Sequence, residues 1–591
     1  MPLPSQGDDP LMDQKRLFTA IAISIAILLG FQLLLPKSPK PDQPVPTQST
    51  PSGQTPRPTG NPAAPGTQPV AVAPPAESRD VPRLPILARK VQGSINLAGA
   101  RLDDLVLRDY HEQVATSSPL VRLLEPRVDP QPYYVQFGWT ADGDVKVPAP
   151  DTVWTASAQQ LTSTTPVTLS WDNGAGQVFE IALAVDDNYL FTVEQRVRNT
   201  GAGDVKVYPW SRIRRDYKPV VAGYYILHEG LLGVLNGTLK EQTYDAAKSE
   251  GEKKPGGTSL DMATIGGWAG ITDKYWLTAL IPDQKTPVQA AFRHVLDNGS
   301  DRYQVDFVTS QPVAAAAGAT ASSTTRLFAG AKVVTLLDDY EKSLGLPHFD
   351  KAVDFGWFYW LTKPIFYALD WLYRLLGNFG VAILIFTVFV KALFFPLANK
   401  SYKSMNRMKQ LNPKIQEIRE RLKDEPQKMQ SEIMGIYRSS GVNPASGCLP
   451  MVVQIPVFFS LYKVIFVTIE MRHAPFFGWI HDLSAVDPTN IFNLFGLIPV
   501  DPAQYSHFLH LGIWPILMGI TMYFQQKLNP APPDPVQAKL FQFMPILFTF
   551  MLASFPAGLV IYWSWNNLLT IAQQWTIMRR MDSTKTVTAA S

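Results

Sequence analysis

The chain has 591 residues, 46% of them hydrophobic, 50 prolines and a formal net charge of +3. That length exceeds what one core holds, so several domains of different class are expected. So small a charge gives no global argument for nucleic acid, and a single cysteine, Cys448, excludes an intramolecular disulfide and any multi-cysteine metal site.

Residues 17–35 (LFTAIAISIAILLGFQLLL) form an apolar run behind Lys15 and Arg16. No A-x-A pattern stands directly after it, and the run is longer than a signal core of ~7–15 residues, so an uncleaved anchor is expected behind a cytoplasmic stretch at 1–16. Across 36–85, 15 of 50 positions are proline. That composition predicts an extended, disordered tether and a loosely coupled domain beyond it.

From 86 to 346 the pattern turns to short alternating segments with β-branched residues, which predicts a large β-sandwich. At 178–185 and 189–199, Phe191, Val193 and Val197 alternate with Thr192, Glu194, Arg196 and Arg198 around Asp186-Asp187-Asn188. This period of two reads as a half-buried hairpin. Trp139, Trp154, Trp171, Trp210 and Trp268 suit core packing better than a sugar cleft.

Residues 355–376 crowd Trp357, Trp360, Trp371 and other aromatics beside Lys363, Asp370 and Arg374. An interfacial amphipathic helix is expected there. The run 378–397, NFGVAILIFTVFVKALFFPL, is long enough for a transmembrane helix yet carries Lys391. An ammonium at membrane depth costs ~2.5–3.5 kcal/mol on insertion scales, so Lys391 either snorkels to the interface or faces a polar cavity.

Met405, Met408, Leu411, Ile415, Ile418 and Leu422 recur at helical steps, and Met429, Ile433 and Ile436 repeat the rhythm after Asp424-Glu425-Pro426. A helical hairpin over 399–445 follows, its first arm broken at Asn412-Pro413. Its excess of Lys and Arg marks it as cytoplasmic. Further spans are expected at 448–469, 509–526, 540–555 and 559–577, with a cytoplasmic tail at 578–591. Gln454, Gln525, Asn566 and Gln573 are the candidate polar groups within them, and Asn567 and Gln574 lie beside the last two. By counting spans, both termini lie in the cytoplasm and the β domain outside.

No nucleotide, zinc-protease or nucleophile-elbow motif occurs, so no enzyme activity and no cofactor is expected. His473, His481, His507 and His510 have no standard ligand spacing, and Cys448 reads as a small buried hydrophobe.

Five short motifs in order carry a family resemblance: Gly93-Ser94-Ile95-Asn96-Leu97 with Asp103-Asp104-Leu105, Asn443-Pro444-Ala445-Ser446-Gly447-Cys448-Leu449-Pro450, Gln454-Ile455-Pro456, Trp479-Ile480-His481-Asp482-Leu483-Ser484, and Phe555-Pro556-Ala557-Gly558. The chain resembles the YidC family of membrane protein insertases, in the Gram-negative form with a large periplasmic domain. The resemblance implies a multi-domain membrane protein of the inner membrane: an N-terminal anchor, a periplasmic β-supersandwich over 86–346, and a five-helix insertase core over 377–577. It implies a hydrophilic groove open to the cytoplasm and to lipid, with Lys391 where the family usually has arginine. Lysine keeps the charge and loses the bidentate fork. Thr387, Tyr562 and Trp563 match substrate-contacting positions. The implied partners are nascent membrane proteins, the Sec translocon with its accessory subunits, the lipid bilayer, and the ribosome through the hairpin, with no specific nucleic-acid sequence. The rival reading is a secondary transporter with Lys391 in a solute site, against which no inverted repeat is visible.

Overall fold

A computed structural model describes residues 81–221, 227–297, 299–441, 449–499, 502–505, 509–529 and 535–589. The expected anchor, most of the tether, Cys448 and His507 lie outside the described residues.

Alternating apolar residues build two antiparallel sheets of ten and nine strands among the described residues. The larger runs from Arg83–Leu87 through Tyr133–Ala141 and Val205–Arg215 to Thr258–Ile265, and the smaller from Thr238–Thr243 through Trp276–Pro282, Thr320–Ala331, Leu190–Asn199 and Gln177–Val185 to Thr155–Ala156. In the hairpin Val185 pairs with Phe191 and Phe179 with Val197, so Phe179, Ile181, Phe191, Val193 and Val197 all point into the core. Full burial of each stabilises by roughly 1.5–3 kcal/mol. Gln195 takes a core-facing position in the same strand, and its Nε2 donates to the Gly138 carbonyl of the other sheet at 2.7 Å. Trp139, Trp154, Trp210 and Trp268 are buried and Trp171 half-buried, with Trp139 stacked 6.2 Å from Trp154. These rings fill the domain rather than line a cleft.

Helix α1, Tyr244–Gly251, interrupts the strands, and α2, Val334–Leu344, follows the last of them. The helical region then comprises α3 Tyr359–Leu376, α4 Phe379–Leu393, α5 Phe395–Arg421, α6 Pro426–Ser439, α7 Leu449–Val467, α8 Ile513–Leu528, α9 Pro535–Leu552 and α10 Ala557–Ala589. In α3, Ile365, Phe366 and Leu369 are buried while Trp360 and Trp371 are exposed, the two-faced pattern of an interfacial helix. Gly377 ends it with φ 70°, and the Asn378 side chain caps α4 by accepting from Val381 N at 3.1 Å.

Two expectations about prolines are corrected. The run 378–397 is not one helix: α4 stops at Leu393, Phe394 leaves the helical region, and α5 departs at 66°. Pro396 sits in the first turn of α5, where its missing N–H is tolerated, whereas in a continuous helix the Ala392 carbonyl would lose its donor. Among the described residues no single helix is long and apolar enough to cross a membrane, and α4 with α5 meets that measure only as a bent pair. Conversely the hairpin arm does not break at Asn412-Pro413, because α5 runs through Pro413 to Arg421. The cost is one backbone hydrogen bond on a largely exposed arm, and Ile415 and Ile418 remain buried on its inner face. An Arg421–Glu432 ion pair ties α5 to α6.

The junction between the two regions is dense, contrary to the loose coupling that the tether suggests. Arg472, beyond the end of α7, donates from Nη2 to the carbonyls of His111 (2.5 Å) and Glu112 (3.1 Å). Tyr275 OH donates to Ser484 Oγ at 3.2 Å, and Lys274 Nζ sits 3.7 Å over the Phe466 ring. The first backbone N–H of α2, at Val334, donates to Glu470 Oε1 at 3.0 Å, although Val333 offers no capping side chain. Lys363 of α3 bridges Asp338 of α2 and Asp350. The end of the β domain nearest the helices is held by these contacts.

Candidate functional site

The helical region is patterned inside out. Ile385, Val388, Phe389 and Leu393 of α4 are exposed, as are Ile455 and Phe459 of α7, Ile520 and Phe524 of α8, and Ile546 and Leu547 of α9. Thr387, Ser460, Ser564, Asn567, Thr570 and Gln574 are buried. Water disfavours that arrangement and hydrocarbon favours it, since polar groups there must find partners between helices.

One of these groups, Thr570, meets Lys391. That lysine lies in the last turn of α4, where its charge complements the carbonyl end of the helix, and its Nζ donates to Thr570 Oγ1 of α10 at 2.9 Å. Among the described residues it has no carboxylate partner. Thr387, one turn earlier, is buried and returns its hydroxyl to the Ile383 carbonyl at 2.6 Å. Across from them Gln454 Nε2 of α7 donates to Tyr562 OH of α10. Thr387, Lys391, Gln454, Tyr562 and Asn566 line one narrow seam with Phe386, Val390 and Val457, and it has no room for a water-sized sphere. The Asn566 Oδ1 is buried there without a partner.

Helical spacing explains which candidates meet. Tyr562, Asn566, Thr570 and Gln573 follow one face of α10 at steps of four, four and three. Gln573 is not part of the seam's lining, although its Nε2 is buried and unpartnered further along that face. Thr570 went unnoticed in the sequence, yet the same step from Asn566 picks it out. Trp563 points elsewhere, packing 4.7 Å from Phe458 and 5.8 Å from Phe548. Gln525 is half-buried and outside the seam. Asn567 and Gln574 turn to the other side of α10, donating to Thr521 Oγ1 at 3.2 Å and Asn529 Oδ1 at 3.1 Å.

The described histidines of the 473–510 loop do not gather; His510 Nε2 meets the Asp487 carbonyl at 3.0 Å. Among the described residues the one carboxylate–imidazole group with ligand spacing is Glu341, His348 and Asp350, and the Lys363 ammonium already occupies the Asp350 carboxylate.

Comparison with known proteins decides what this arrangement belongs to. The family described as 60Kd inner membrane protein matches residues 371–585, and that described as YidC periplasmic domain matches 83–368. The chain belongs to the YidC family. A relative from Granulibacter bethesdensis, named membrane protein insertase YidC, is 60% identical over 96% of this chain and 98% of its own. One of the same name from Methylobacterium radiotolerans is 50% identical over 96% and 95%. A crystal structure of an active YidC insertase with its first transmembrane domain resolved aligns with 84% of this chain and 92% of that one, at 18% identity and a TM-score of 0.35. Within the YidC family, then, the β-sandwich is the periplasmic domain and the helices from α4 onward form the C-terminal core of an inner-membrane protein.

Proposed function

We infer that this chain, by family a membrane protein insertase, works by opening the Lys391 seam between α4, α7 and α10 to a polar segment of its substrate. The observation that carries the reading is a half-buried ammonium whose hydrogen-bond partner, Thr570, is neutral and which has no carboxylate partner among the described residues. An acidic group on an incoming chain exchanges for Thr570 and gains a charge-assisted bond. Gln454, Tyr562 and Asn566 offer further donors and acceptors once the seam parts, so the groove is a state of these helices and not a fixed hole. The apolar part of the substrate then partitions into lipid at ~25 cal/mol per Å2 of buried apolar surface, and no nucleotide is needed.

The rest of the reading follows from charge and connectivity. The basic α5–α6 hairpin faces the cytoplasm and meets the ribosome, the β domain stands in the periplasm, and both termini are cytoplasmic. Residues 17–35 anchor the chain, 36–85 tether it, 355–376 lie at the interface, and 377–577 form a five-helix core that acts alone or beside the Sec translocon. A periplasm-active reporter gives signal when fused after Gly330 and none after Lys423; the reverse pattern overturns the topology. For the groove, photocrosslinkers at 387, 391, 562 and 563 are presented to a ribosome-bound nascent membrane protein. Crosslinks are expected at the first three and weaker ones at 563; crosslinks only at lipid-facing controls such as 389 overturn the assignment. Lys391→Arg supports insertion, Lys391→Glu impairs it most for acidic translocated segments, and Lys391→Ala is milder.

A further inference from the structure

The junction encloses a second space, unrelated to the Lys391 seam: a cavity of about 1260 Å3 between the β domain, the connector that leads into α3, and the outward face of α7. That volume exceeds the ~300–1,000 Å3 of pockets for small ligands. Its walls change character along α7. Lys463 lies one turn from the α7 terminus, ion-paired to Asp354 Oδ2 at 2.9 Å. Phe459 lies about 6 Å and Ile455 about 12 Å further along the axis toward the middle of the membrane, and both are exposed. The cavity is therefore charged at the level of the β domain and apolar below it.

The charges at the polar end have both signs. Lys463 pairs with Asp354 and Lys218 with Asp245, and Glu229 accepts from Lys274 N at 3.1 Å, which leaves Lys351 and Glu241, neither in an ion pair among the described residues, on walls of the same cavity. An anionic headgroup satisfies Lys351 and faces Glu241 unfavourably, whereas a headgroup carrying phosphate and ammonium meets both. Trp357, fully exposed beside this opening, is the residue type that settles at headgroup level.

We propose that this cavity holds one zwitterionic phospholipid from the leaflet on the β-domain side, its phosphate toward Lys351, its ammonium toward Glu241, and an acyl chain along Phe459 and Ile455. The proposal needs α7 to enter the bilayer with its Val467 end on the β-domain side, and the Lys463–Asp354 contact sets that end beside the connector from the β domain. It does not depend on substrate reaching the Lys391 seam. Such a lipid joins the periplasmic domain to the membrane core through neither region's own atoms.

The test uses the full chain in nanodiscs of equal phosphatidylethanolamine and phosphatidylglycerol, released and weighed by native mass spectrometry. One phosphatidylethanolamine is expected to stay bound, at least fivefold above phosphatidylglycerol. The Lys351→Gln/Glu241→Gln variant is expected to lose that preference, and Leu239→Trp, which fills the cavity wall, to lose the lipid. Retention in the nanodisc ratio, or retention unchanged in these variants, overturns the proposal. A photocrosslinker at 459 in the otherwise native chain removes any doubt over misfolded variants. Adducts with phosphatidylethanolamine support the site, and adducts with the nascent chain instead mean that a peptide occupies it. Loss of nascent-chain crosslinks at 387 and 391 with lipid retained at 459 would sink the groove reading alone.

Discussion

The β-sandwich and the helical core answer opposite solvents. In the sandwich, apolar side chains are interior and several buried charges are paired, Arg215 with Asp273 at 2.7 Å, Arg214 with Asp216 at 2.7 Å and Arg293 with Asp306 at 2.9 Å, while the buried Lys332 and Arg212 are held by the neutral Thr272 Oγ1 at 3.0 Å and Gln136 Oε1 at 2.6 Å. In the core, large apolar residues face outward while threonines, asparagines and Lys391 lie between helices, some with polar atoms unpartnered. Both regions hold buried polar atoms without a partner, so what separates them is the direction in which the large apolar side chains face. An unpaired charge inside a domain that must only be stable costs several kcal/mol, but a surface that must accept foreign polar segments has to keep partners available.

Truncating core aromatics should separate the two regions most. Phe292→Ala, at a fully buried sandwich position, is expected to destabilise that domain by about 3–5 kcal/mol in denaturant unfolding, while Phe389→Ala, on the exposed face of α4, changes unfolding little. Equal losses would break the contrast.

The junction gives the next effect. Burial of Glu470, with the Asp370 charge adding to it, pushes its carboxyl up to about 7. In the unfolded chain the group ionises near 4.5, so between these values the unfolded state gains by releasing its proton. Docking stability is therefore full below about 4.5, declines as pH rises toward 7, and is flat above. Amide exchange across α2 should be slower at pH 5 than at pH 8 after correction for intrinsic rates, by the equivalent of about 1–3 kcal/mol. Glu470→Gln, which keeps the acceptor for Val334 N, should abolish that dependence. A pH dependence that survives the substitution would place the switch elsewhere.

Thr570→Val probes the core's own polar contacts. Interhelical hydrogen bonds in membranes are worth about 0.6 kcal/mol on average, so the thermal transition should hardly move. Insertion of acidic substrates should nevertheless change, since Lys391 loses its resting partner and is freed for an incoming carboxylate. A large loss of stability would mean that Thr570 is structural. At the small end, Arg374→Ala removes an exposed pair with Asp370 and should alter stability by about 0.5 kcal/mol or less in the same assay.

Legibility followed the same divide. The hairpin closing Val185 on Phe191 was readable because one face is buried and the other wet, which writes a period of two into the sequence. In the core, hydropathy records only that a residue is apolar and cannot register a bend, so the 66° break after Leu393 hid inside an unbroken apolar run. Proline was the available signal, and its context decided its meaning: Pro396 begins a helix, while Pro413 is carried within one. Lys391 and Asn566 were found as polar residues in apolar surroundings, whereas Tyr562 and Trp563 came together from the family resemblance, although adjacent residues on a helix point about 100° apart. The junction was not legible at all, because contacts such as Arg472 with the His111 carbonyl join positions 361 residues apart through a backbone atom common to every residue.

The break after Leu393 also has an elastic side. The 15 residues of α4 rise about 22 Å, against a hydrocarbon thickness of ~30 Å. Where α4 crosses a bilayer, the lipid beside it must pucker to meet that mismatch, at a fraction of a kcal/mol per Å, with Lys391 in the last turn of the helix. Lengthening the acyl chains then deepens the pucker, so the short α4 makes the protein sensitive to membrane thickness.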